Sequence, residues 1–152
     1  MIAERLAELG IELPAVATPA GAYVPAVVNG ALVFTAGQIP FVDGALPAAG
    51  KVGDGLVSPE VAKDLARVCA LNALAAVADV LGSLDRVTQI VKLTGFVASA
   101  PGFNGQPGVI NGASEVLGEI FGEAGRHARS AVGVAELPLD APVEVELIVA
   151  FE

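Results

Sequence analysis

Val143-Glu144-Val145-Glu146-Leu147-Ile148-Val149-Ala150-Phe151 decides the fold reading. Apolar Val143, Val145, Leu147, Val149 and Phe151 alternate with Glu144, Glu146 and Ile148, the period of two that places successive side chains on opposite faces of a β-strand. Working back along the chain, Pro138-Leu139-Asp140-Ala141-Pro142 breaks any regular structure, and a further strand is expected over Ser130–Leu137. The apolar stripe Ile110, Ala113, Leu117 and Ile120 predicts a helix over Val109–Glu123, after a loop from Pro101 to Pro107. Val87–Ser99, with β-branched Val87, Thr88, Ile90, Val91 and Thr94, reads as a strand. Ser58-Pro59-Glu60 is a helix start with an N-cap hydroxyl, a first-turn proline and an acid near the positive dipole end. That helix should run to Leu81 and stop at Gly82.

Earlier still, Val24–Val28 and Ala31–Ala36 flank Asn29-Gly30, the dipeptide that most strongly signals a hairpin. Residues 1–10 read as a short amphipathic helix closed by Gly10, and Gly37–Val57 as a surface excursion rich in Gly, Pro and Ala. The order β-β-α-β-α-β-β implies an α+β layer fold of one domain over residues 1–152, with one sheet and two long helices on one of its faces. The sheet's other face then needs a cover.

Composition bears on that cover. The 152 residues are 54% hydrophobic and 16% charged, with a mean hydropathy of +0.68. No run approaches the roughly 18–20 apolar residues of a spanning helix, and Met1-Ile2-Ala3-Glu4-Arg5-Leu6 lacks the basic-then-apolar pattern of a secretion signal. Association with further copies of the chain is therefore the expected way to bury the excess apolar surface. The net charge of −9 argues against nucleic acid and anionic membrane surfaces as partners, since both select basic faces. A small anionic metabolite remains compatible, because one arginine can dominate a pocket whatever the net charge. Cys69 is the single cysteine. It is expected as buried filler, and a reducing cytoplasm suits it.

The chemistry-bearing residues are few. Arg129, at a loop–strand junction in Gly125-Arg126-His127-Ala128-Arg129-Ser130, can present its planar fork to a carboxylate; the plainer expectation is a surface ion pair. Glu144 and Glu146 share one strand face at roughly 6–7 Å, too far apart for a coupled dyad, and either can orient a water or simply be solvated. His127 is the lone histidine, which makes a metal site a poor reading; it lines a pocket beside Arg129 or is structural. Tyr23 is the only tyrosine and tryptophan is absent, so no platform exists for stacking bases. Gly50-Lys51-Val52-Gly53-Asp54-Gly55 lacks phosphate-loop spacing.

Gly21-Ala22-Tyr23-Val24-Pro25, Thr35-Ala36-Gly37-Gln38-Ile39-Pro40, Ala128-Arg129-Ser130-Ala131-Val132, Leu137-Pro138 and Val143-Glu144-Val145-Glu146 together resemble the RidA (YjgF) family, also called L-PSP. The resemblance implies a chorismate-mutase-like α+β protomer with a mixed sheet, assembled as a homotrimer with sites in the clefts between subunits. It implies hydrolysis of reactive enamines and imines, such as 2-aminoacrylate and 2-iminopropanoate, to 2-keto acids and ammonia, without metal or organic cofactor. Arg129 would then clamp the substrate carboxylate and Glu144 would orient the attacking water, with Tyr23, Ala36, Gly37, Asn111 and His127 lining the site. This chain departs from the deaminase branch in having Ala36 for the usual Ser, Ala131 for a frequent Cys, His127, and an N-terminal helical extension over residues 1–15. A trimeric carboxylate-binding module without turnover is the alternative. A ribonuclease fits the charge, the single histidine and the few aromatics poorly.

Overall fold

The computed structural model describes all 152 residues. Strands β1 (Ala26–Asn29), β2 (Leu32–Thr35), β3 (Val87–Ala98), β4 (Ala128–Val134) and β5 (Val143–Phe151) are joined by helices α2 (Pro59–Leu81) and α3 (Gln106–Phe121), after a short α1 (Ile2–Glu8). They form one sheet in the order β1-β2-β5-β3-β4. All neighbours are antiparallel except β3 and β4, so the sheet is mixed and the β3–α3–β4 crossover supplies its one parallel pair. No helix is long and apolar enough to cross a membrane.

Local chemistry explains the element ends. Gly30 takes φ 61 in the tight β1–β2 connection, a conformation that costs a glycine little. The Ser58 hydroxyl accepts from the Val61 amide at 3.1 Å, and Gly82 closes α2 with φ 83. Several boundaries differ from the sequence expectation: β1 starts at Ala26 rather than Val24, β2 spans only Leu32–Thr35, and α3 ends at Phe121 rather than Glu123. Helix α3 begins at Gln106, because Pro107 sits in its first turn, where a missing N–H costs nothing. Strand β4 runs from Ala128 to Val134: it starts two residues earlier than expected, because Ala128 and Arg129 already pair with Lys92 and Leu93 of β3, and ends three residues earlier, where its pairing with Ala98 stops.

The core lies between the helices and one sheet face. Val143, Val145, Leu147 and Val149 point into it from β5, and Ala62, Leu65, Cys69, Leu74 and Val77 from α2. Cys69 is buried, and desolvation pushes its thiol pKa up, so it is filler rather than a nucleophile. Helices α2 and α3 approach closely at Gly112, where an added Cβ would stand 2.0 Å from the Lys63 carbonyl oxygen. The opposite sheet face carries Phe34, Phe96, Val132 and Ile148 with no layer above it, and Val27, Phe34 and Val132 are 51%, 41% and 43% exposed.

Gly112→Ala should cost about 1–3 kcal/mol or more, because backbone must move to admit the methyl group. Gly118→Ala on the same helix, where an added Cβ meets nothing within 4 Å, should instead gain up to about 1 kcal/mol from helix propensity. Urea unfolding of the two variants checks the pair.

Candidate functional site

Two groups of polar side chains stand out, one on each face of the sheet. Glu144 leaves β5 on the uncovered face, level with Phe96 of β3. Gly37 lies against it: a Cβ there would come within 2.8 Å of the carboxyl carbon, so glycine leaves the space the carboxylate occupies. The segment after Gly37 is fixed on two sides. Gln38 exchanges backbone bonds with Val145 at 2.8 and 3.0 Å. The buried Asn72 amide of α2 donates to the carbonyls of Ile39 and Phe41 at 3.1 and 3.2 Å.

Glu144 opens into a cavity of about 240 Å³ walled mainly by Ala17, Pro19, Tyr23, Ile39, Phe41 and Leu139. Tyr23 folds back on the connector, its hydroxyl accepting from the Ala20 amide at 3.2 Å. Leu139 reaches the rim from a left-handed backbone, φ 59, a conformation that a bulky residue adopts only under constraint. In this apolar setting desolvation raises the Glu144 pKa, and the nearby Glu146 carboxylate raises it further.

The second group surrounds Arg129. Its strand position is level with Leu93, which is buried beneath the helices, so Arg129 lies on the helix-bearing face. Nη1 donates to Asn111 Oδ1 at 2.8 Å and to Ser114 Oγ at 3.1 Å, and Nη2 donates to the Pro107 carbonyl at 3.1 Å. Pro107, Asn111 and Ser114 are spaced as neighbours on one side of α3. None of the salt bridges includes Arg129, so the surface ion pair is not formed and the guanidinium keeps its full charge. Three of its five N–H donors are committed. Nε and Nη2 each keep one N–H without a protein partner, two donors on the side of the guanidinium that can meet a carboxylate. His127 is half-buried beside it, with Nε2 2.9 Å from Ser114 Oγ and Nδ1 2.7 Å from the Gly125 carbonyl.

One copy of the chain therefore does not bring the expected residues together. Tyr23, Gly37 and Glu144 share the cavity; Arg129, Asn111 and His127 share the other locus; β3 lies between, and Leu93 and Phe96 mark opposite faces of it. Ala36 is half-buried beside Gly37 but is not part of the cavity wall. Sequence reasoning missed Ser114, although its spacing three residues after Asn111 on a helix would have pointed to it. It also missed Asn72 and Leu139, whose roles depend on contacts and backbone angles that no local pattern encodes.

A family model described as "YjgF/chorismate mutase-like, putative endoribonuclease" matches residues 3–151. The chain belongs to the YjgF family. Protein TCP17 of Trypanosoma cruzi is 46% identical over 97% of this chain and 92% of its own length. A crystal structure of an Agrobacterium tumefaciens protein of unknown function superposes with a TM-score of 0.90 at 44% identity, covering 99% of this chain and 92% of that one. The Escherichia coli protein TdcF with bound serine is similar at a TM-score of 0.66 and 29% identity, covering 92% of this chain and 94% of the other. The family model thus spans all but the first two residues and the last one.

The raised Glu144 pKa has a stability consequence of definite sign. Ionisation of Glu144 opposes folding, a cost absent below the unfolded carboxylate value of about 4.3 and complete above the raised value. Glu144→Gln should therefore raise the melting temperature at neutral pH and leave it near wild type at about pH 3. Thermal melting of both proteins across this range checks it; a Gln variant less stable at neutral pH than in acid, relative to wild type, would contradict the assignment.

Proposed function

We propose that the protein hydrolyses small 2-imino or 2-enamino acids to 2-keto acids and ammonia, as a homotrimer whose sites each combine Arg129 of one subunit with Glu144 of its neighbour. The observation that carries the reading is the separation itself. A guanidinium with no anionic partner and a carboxylate with a raised pKa lie on opposite sides of one sheet, so a site that uses both would need a second copy to join them. Three-fold packing through the uncovered face would bury Val27, Phe34 and Val132 and set the open edge of β4 beside the neighbouring cavity. The serine bound by TdcF is a small carboxylate on a related fold, and a cytoplasmic setting agrees with the free Cys69.

In this scheme the open edge of the Arg129 fork holds the substrate carboxylate. Glu144 takes a proton from a water as its oxygen bonds to the imine carbon, and returns that proton to nitrogen. The carbinolamine then collapses: Glu144 passes the hydroxyl proton to the amine nitrogen, the C–N bond breaks, ammonia leaves and the carbonyl forms. Imines already hydrolyse in water, so positioning and one proton relay suffice. A group whose pKa is raised toward neutrality suits that relay better than an ordinary carboxylate. The apolar cavity would receive the substrate's side chain. Ala36 and Ala131, which add no polar atom, favour as second reading a module that binds a small carboxylate without turnover.

An enzyme that releases 2-aminoacrylate, coupled to keto-acid detection, tests the activity. Arg129→Ala should lower kcat/KM by about 10- to 100-fold, the loss of a charged hydrogen-bonded pair, and Glu144→Gln by about 100-fold or more. Mixing the two impaired variants and allowing subunit exchange should restore activity above that of either alone, because mixed trimers contain interfaces with both groups intact. No acceleration by wild type, with carboxylate binding retained, would leave the binding module as the function.

A further inference from the structure

The three acceptors that hold Arg129 are neutral, and two of them are simple. The Pro107 carbonyl is fixed by the helix, and the Asn111 amide oxygen accepts from Arg129 and from no other protein donor. Ser114 is different, because a hydroxyl rotates. In mid-helix its default is to donate to the carbonyl four residues back, here Ile110. A serine in that rotamer aims its lone pairs without regard to Arg129.

His127 decides the matter. Its Nδ1 faces the Gly125 carbonyl at 2.7 Å, and a carbonyl only accepts, so Nδ1 carries hydrogen. In the neutral ring Nε2 is then a bare acceptor, and the Ser114 hydroxyl 2.9 Å away donates to it. That bond turns a Ser114 lone pair toward Arg129 Nη1 at 3.1 Å. The chain of donors therefore runs in one direction: Arg129 to Ser114, Ser114 to His127, His127 to the Gly125 carbonyl. Gly125 is buried and packs closely on α3, where an added Cβ would stand 2.4 Å from the Leu117 carbonyl oxygen.

From this geometry we infer that His127 is a positioning residue for carboxylate recognition, acting through Ser114 to keep Nη1 of Arg129 engaged so that its Nε/Nη2 edge faces the ligand. It touches no substrate atom. The inference rests on the carboxylate-clamp role of Arg129 and assigns the part of the site that sets its aim.

Two substitutions separate this role from a merely structural one. In His127→Asn the amide nitrogen can stand where Nδ1 stood and keep the Gly125 bond, but it does not reach Ser114. In His127→Gln the amide extends to the Nε2 position and its oxygen can accept from Ser114. Calorimetric binding of pyruvate to the assembled protein, beside the imine-hydrolysis assay, should show Kd and KM raised about 5- to 10-fold in the Asn variant. Its kcat should change by less than two-fold, and the Gln variant should recover to within about two-fold of wild type. Ser114→Ala, a substitution that favours helix, should match His127→Asn, and the double variant should be no worse than either, because both break one relay. Equal losses in the Asn and Gln variants, additive effects in the double variant, or wild-type binding in all of them would overturn the inference. Hydrolysis at full rate with unchanged His127 variants would do so while leaving the proposed reaction standing. Pyruvate binding that follows the expected pattern without any hydrolysis would do the reverse. Failure of wild type to bind pyruvate or hydrolyse imine would remove both.

Discussion

The sheet is covered on one side only, and most of the molecule follows from that. Two helices suffice to bury Val143, Val145, Leu147 and Val149 of β5, because α2 is rich in alanine and lies close to its neighbours, and because Gly112 lets α3 approach the Lys63 carbonyl. The other face keeps aromatic and branched side chains in water, which is unfavourable for an isolated domain of this size. The same asymmetry sends alternate residues of each strand into two different environments. Glu144 and Arg129 differ in surroundings because strand parity puts one on the open face and the other under the helices.

Electrostatics then sharpen the difference. Arg129, like Arg86 and Lys92, has no acidic partner, and it is held by backbone and side-chain dipoles alone. Neutral acceptors fix a guanidinium's direction while leaving its charge to act outward. Glu144 is the reverse case: its charge is disfavoured by poor solvation and a like neighbour. One site stores attraction for an anion and the other stores affinity for a proton.

Much of this was legible in the residues. Asn29-Gly30, Ser58-Pro59 and Gly82 located a hairpin and both ends of the long helix, because each is a local device whose geometry is fixed by one or two side chains. The alternation from Val143 to Phe151 assigned the faces of β5 correctly. The start of α3 was misplaced because Pro107 serves equally well in a loop or a first helical turn. The division of the site was not visible, since the fifteen residues between Arg129 and Glu144 say nothing about which faces a mixed strand order will give them. Ser114 and His127 meet across a turn, and Asn72 reaches residues far from it in sequence, so their partners appear only once the chain is folded.

Asn72 carries one more implication. Ile39 and Phe41 belong to an irregular segment, yet a buried amide on α2 ties both carbonyls to the core. Two carbonyls held from the core side fix the path of this backbone against the sheet. The facing wall, Ala17–Ala20, has only the Tyr23 hydroxyl to hold it. The cavity thus has one wall tied to the core and one wall, the connector that leads in from α1, with a single side-chain hydrogen bond.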